Sequence, residues 1–176
     1  MKSLLHPWTV AVVAAALDAC GTSSSVSLGS ATVTGQVSGY SADFTNVVAV
    51  ISPSGSSTAV YFTTIPNGCD ATSHIISANA TTMEIYISGT QPQTYEFSYQ
   101  NYGMGEAFFH VMDGDGQDVL YKVIGSEILN AADSGTIALH DVTTSTVDGT
   151  LDMTFPEGHL IGSFTAADCS SEANGG

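Results

Sequence analysis

The run from Gly135 to Cys169, GTIALHDVTTSTVDGTLDMTFPEGHLIGSFTAADC, constrains the fold more than any other stretch of this chain. Val147, Gly149, Leu151, Met153 and Phe155 fall on one side of an extended backbone, with Asp148, Thr150, Asp152 and Thr154 on the other. Period-two alternation is the mark of a strand with one dry face and one wet face. Pro156-Glu157-Gly158 then supplies turn chemistry, and Leu160, Gly162, Phe164 and Ala166 repeat the alternation on the return. The run therefore predicts three antiparallel strands that close at Cys169.

Similar signals recur upstream at short intervals. Ala31–Val37 is rich in Thr and Val, and Val47–Ile51 is an apolar run ended by Pro53-Ser54-Gly55. Thr58–Ile65 follows and runs into the turn residues Pro66-Asn67-Gly68 before Cys69. Met83, Ile85 and Ile87 alternate with Glu84, Tyr86 and Ser88, and Tyr95, Phe97 and Tyr99 form another such row. Ala107–Met112 and Val119–Ile124 are apolar on both sides, which predicts central strands covered on each face. Asp70–Thr82 is the place for a loop or short helix, and Ser126–Asp133 for one helical turn. About ten short strands separated by turns predict an all-β domain, either an antiparallel β-sandwich or a closed barrel.

The 176 residues suffice for one domain with its own core. Seventeen acids face only Lys2 and Lys122, giving a formal charge of -15. A surface so poor in cations cannot neutralise phosphates, so nucleic-acid binding is excluded, as is attachment to anionic lipid through a basic patch.

Residues 1–19 combine Lys2, the apolar stretch Val10–Leu17 and the short sequence Asp18-Ala19 before Cys20. The apolar stretch falls well below the roughly 20 residues of a membrane-spanning helix and suits a signal peptide. Leu17-Asp18-Ala19-Cys20 resembles the lipobox of bacterial lipoproteins, in which the Cys thiol takes a diacylglyceryl group and the leader is removed. Asp18 departs from that pattern, and an ordinary secretory leader cut near Ala19 is the alternative. Gly21, directly after the Cys, resembles the outer-membrane sorting pattern of such proteins. Residues 20–30 then form a Gly/Ser/Thr tether, residues 31–169 the β-domain and residues 170–176 a disordered tail. The expected location is the outer membrane or cell surface, held by the N-terminal lipid, or else the periplasm or medium. With Cys20 lipidated, Cys69 and Cys169 remain, and an even pair in an exported chain reads as a disulfide.

Across nearly its whole length the chain also resembles uncharacterised surface lipoproteins of myxobacterial type. The shared features are the lipobox, the Ser/Gly tether, the early strand Thr34-Gly35-Gln36-Val37-Ser38-Gly39, a mid-domain Cys and Thr94-Tyr95. The ending is the specific part: Gly135-Thr136-Ile137-Ala138-Leu139, Gly149–Phe155, and Gly162-Ser163-Phe164-Thr165-Ala166-Ala167-Asp168-Cys169. The resemblance implies a surface-anchored β-domain without an established activity, so it supplies no catalytic residues.

Local motifs for chemistry are sparse. Asp113, Asp115 and Asp118 offer three carboxylates to Ca²⁺, yet the run lacks the Gly and Glu of an EF-hand loop, and Asp-Gly is a common hairpin turn. Tyr95, Phe97 and Tyr99 would stack on a sugar or protein partner if exposed, although such a row more often faces a core. His110 on its apolar strand reads as a satisfied core residue. His140 and Asp141 are strand neighbours and should face opposite ways. No nucleophile elbow or zinc motif is present, and no enzyme activity is expected. A secreted hydrolase using acids such as Asp113 and Glu106 is the minor alternative to a structural, adhesive or ligand-binding domain, as is a Ca²⁺-dependent binding module.

Overall fold

The structure is a computed structural model describing residues 29–65, 69, 78–98, 105–121, 123–124, 127–128 and 130–170, the pairs 123–124 and 127–128 as backbone. The leader, Cys20, Tyr99, the turn at 66–68 and the tail at 171–176 lie outside the described residues. Among those described, the strands are β1 (Ser30–Ala31), β2 (Thr34–Val37), β3 (Tyr40–Ser41), β4 (Asn46–Ile51), β5 (Thr58–Thr63), β6 (Thr81–Ile87) and β7 (Thr94–Ser98). They continue as β8 (Gly105–Val111), β9 (Val123–Ile124), β10 (Glu127–Ile128), β11 (Ser134–Val142), β12 (Thr146–Phe155) and β13 (Gly158–Asp168).

Eleven strands form one sheet curled into a nearly closed barrel. Its main path runs β7-β11-β12-β13-β4-β5-β6-β8, with β1 and β2 on β13, and β3 on β2. The barrel alternative is therefore the observed one. Ser38 and Gly39, both at positive φ, make the two-residue turn that joins β2 to β3, the geometry that matches strand twist. Where β8 meets the start of β11, the Phe109 amide donates to the Asn130 carbonyl and the Ala132 amide to the Ala107 carbonyl. On the far side β13 runs parallel to β4, pairing Ala167 with Val48 and Asp168 with Ala49.

Alternation works as the sequence predicts in β12, where Val147, Gly149, Leu151, Met153 and Phe155 are all buried. They fill the barrel together with Val47, Phe62, Ile85, Phe109, Leu160 and Phe164, packed ring against ring: Phe62 and Phe164 lie 5.3 Å apart, centroid to centroid. Small barrels of this kind are solid inside. Gly149 is needed there, because a Cβ would sit 2.7 Å from the ring of its cross-strand neighbour Phe164.

Three expectations are corrected. Val119–Ile124 is not a central strand: Val119 and Tyr121 are exposed, and among the described residues the strand within it is Val123–Ile124, paired with β10. The cause is Asp118, whose Oδ1 accepts from its own i+2 amide at Leu120, an Asx turn that bends the chain off the sheet. Ser126–Asp133 holds no described helical turn; Glu127–Ile128 is extended and Ala131 bridges to Phe108. In Ala107–Met112 the inward residues Ala107, Phe109 and Val111 are buried, but the outward Phe108 and His110 are only partly covered.

Cys69 and Cys169 are joined by a disulfide, with Cα atoms 5.4 Å apart across 100 positions of sequence. The bridge lies outside the barrel, packed with Val48, Val50 and Tyr61. The Cys169 amide donates to the Ala49 carbonyl, so the chain beyond β13 still follows β4. One strand, β4, thus separates β13 from β5.

Candidate functional site

The outer faces of β5, β6 and β8 carry polar side chains that the sheet register brings together. Tyr61 pairs with Glu84 and Glu84 with Phe108; one step along, Thr82 pairs with His110. Diagonal neighbours across strands lie within reach of long side chains. Glu84 accordingly meets His110, its Oε1 being 3.6 Å from Nε2, while its Oε2 accepts from the Tyr86 hydroxyl at 2.5 Å. Tyr86 in turn meets Tyr61 edge to face at 6.1 Å.

Beyond His110 the chain of contacts continues to Asp118, whose Oδ2 is 2.7 Å from Nδ1. A carboxylate only accepts, so Nδ1 carries the proton and Nε2 faces Glu84. Asn130 Nδ2 also donates to Asp118 Oδ2, at 3.0 Å. The other oxygen, Oδ1, accepts the amides of Val111 and Leu120. Asp118 is thus the hub of the file, satisfied on both oxygens. His110 is satisfied, as expected, but on the outside of the barrel rather than in its core.

Burial, the largest influence, holds both tyrosine hydroxyls above the ordinary value of 10.0; for Tyr86 the bond to Glu84 raises it further. At Tyr61 the bond from Tyr86 works against burial and the Glu84 charge works with it. The folded state therefore binds these protons more tightly than the unfolded chain. Their contribution is complete below pH 10 and is lost as pH rises through the raised folded values. Alkaline difference spectroscopy should show a late-ionising tyrosine component, and Tyr86→Phe should reduce its amplitude. A late component unchanged in Tyr86→Phe would contradict this geometry.

An Asp–His pair is half of a general-base arrangement, but His110 Nε2 is directed at a carboxylate rather than a nucleophile. Among the described residues this file ties β5, β6, β8 and Asn130 together more plainly than it presents reacting atoms to solvent.

The residues singled out in the sequence are placed as follows. Asp113 Oδ1 accepts the amides of Asp115 and Gln117, and its backbone exchanges bonds with Gly116 and Gln117, so the acidic run is a hairpin turn. Asp118 points into the file, and Asp113, Asp115 and Asp118 do not converge. No cluster of three His, Cys, Asp or Glu side chains placed for a metal occurs among the described residues. Tyr95 and Phe97 face the barrel core, with the Tyr95 hydroxyl donating to the Gln91 carbonyl, so neither offers a face to a ligand. Glu106 and Asp113 lie at opposite ends of β8, roughly 20 Å apart along the strand.

His140 and Asp141 require a correction. The β11–β12 register shifts between Leu139 and Asp141, making His140 the extra residue of a bulge. Both side chains are consequently exposed on the outer face, where simple alternation places them on opposite faces. His140 Nε2 contacts Thr150 Oγ1 at 3.2 Å.

No protein-family model matches this chain, nor does any curated protein or solved structure.

Proposed function

We propose that this chain is an exported surface lipoprotein, anchored through Cys20, whose barrel serves as a binding or structural module on its tether. The observation that carries the reading is the Cys69–Cys169 bridge, because disulfides form and persist in oxidising compartments outside the cytosol. The leader, the Cys at its end and the Ser/Gly tether support the same placement. The filled interior favours work on the outer faces rather than transport of a ligand inside the barrel. The resemblance to myxobacterial-type surface lipoproteins belongs to this proposal.

Cys20→Ala should move the protein from the detergent-extracted membrane fraction to the soluble fraction and abolish labelling by a fatty-acid precursor. Unchanged partitioning with no label on the wild type would reject the anchor.

A further inference from the structure

Over β12 and β13 lies a shallow, open groove of about 480 Å³. Thr32, Thr150, Ser163 and Thr165 give it hydroxyl walls, and Asp148 and His140 stand at one end. The sheet register builds it in rows: Ser30, Thr165 and Asp148 lie side by side, as do Ser163 and Thr150. Thr32 Oγ1 and Ser163 Oγ are bonded at 2.8 Å, which fixes one wall, and the bulge delivers His140 onto Thr150 at the other. Bulges commonly re-aim a side chain beside a functional surface.

Charge decides the class of ligand. The same bulge places Asp141 directly opposite Asp148 on the outer face, and like charges in register disfavour the strand pair. No Lys or Arg occurs among the described residues, so an anionic ligand has nothing to pair with. A ligand carrying both ammonium and hydroxyl groups matches the carboxylates and the hydroxyl walls together. We propose that this groove binds an amino-sugar chain, with ammonium groups at Asp148 and Asp141 and sugar hydroxyls along Thr150, Ser163 and Thr165. The proposal deepens the binding reading above and rests on it.

The test is calorimetry on the full chain in detergent micelles, in mildly acidic buffer, with three probes. The glucosamine hexamer carries charge and hydroxyls, the N-acetylglucosamine hexamer keeps the backbone without the charge, and spermine keeps charge without hydroxyls. The glucosamine hexamer should bind at least about tenfold more tightly than either control, and Asp148→Asn should weaken it by about tenfold or more. Asp148→Asn should also raise the melting temperature slightly, because the opposed charges are relieved. Affinity and stability then move in opposite directions, which a merely structural residue does not produce. Thr150→Val serves as a second variant, weakening binding from the hydroxyl side. Equal binding of either control, no binding of the glucosamine hexamer, or unaltered affinity in both variants overturns the proposal. Binding that persists after a failed fractionation test rejects the anchor alone; the reverse rejects this groove alone.

Discussion

Replacing both Cys69 and Cys169 with Ala should lower the unfolding free energy by about 2–5 kcal/mol, a large part of a small domain's stability. The bridge closes a loop spanning 100 positions, for which restricting the unfolded chain is worth up to about 4.7 kcal/mol on the chain-entropy model. Packing adds to this. Val48, Val50 and Tyr61 sit against the two sulfurs on the outside of the barrel, where the interior side chains do not reach them. Losing the bridge removes the hold on Cys69 at that surface, beside Tyr61, the end of the polar file. The check is urea unfolding of oxidised wild type and double variant, monitored by tyrosine fluorescence. A midpoint unchanged to within error would show that the bridge does not constrain the unfolded chain as its position implies.

Asp118→Ala is the second change expected to be severe, at about 3 kcal/mol or more, because each partly buried donor left without its acceptor costs about 1–3 kcal/mol. Four donors converge on this carboxylate: the amides of Val111 and Leu120, Asn130 Nδ2 and His110 Nδ1. All four are left in a partly buried place with little to replace the acceptor. The Asx turn at Leu120 is lost as well, so the chain following β8 loses its direction. Asp113→Ala provides the contrast. It removes one carboxylate oxygen that accepts two amides in an exposed turn and should cost only about 1 kcal/mol. Equal losses in the two variants would mean that the file carries no more stability than an ordinary turn.

The contrast between these two aspartates shows what the sequence could and could not disclose. Both belong to one acidic run, and local spacing treats them alike. Only the folded chain reveals that one caps a turn while the other, bridged back to Met112, gathers His110 and Asn130. The strands β11, β12 and β13 were legible because each has a single dry face set by the barrel itself. Glu84 and Tyr86 were equally legible as the outward residues of β6, but period two reports only which side faces the core. It carries nothing about outer-face neighbours such as Tyr86 and His110, and so the burial of Glu84 was invisible. The polar file draws members from β5, β6, β8 and the approach to β11, with no motif in any of them. The disulfide was readable from the cysteine count together with the expectation of an exported chain. The bulge at His140 had no sequence signal: His-Asp within a Thr-rich strand looks like uninterrupted alternation until the pairing slips by one.

The strand β13 pairs with β12, β4, β2 and β1, so the last of the thirteen strands holds the others in place. During synthesis β1 and β2 emerge first and lack their main partner until nearly the whole domain has followed, and β4, paired early with β5, lacks its other neighbour for as long. Such non-local closure is slow. Open strand edges persist meanwhile, and these are the surfaces on which chains aggregate. The barrel cannot be finished in the order in which it is made, because its closing strand is the last to be synthesised.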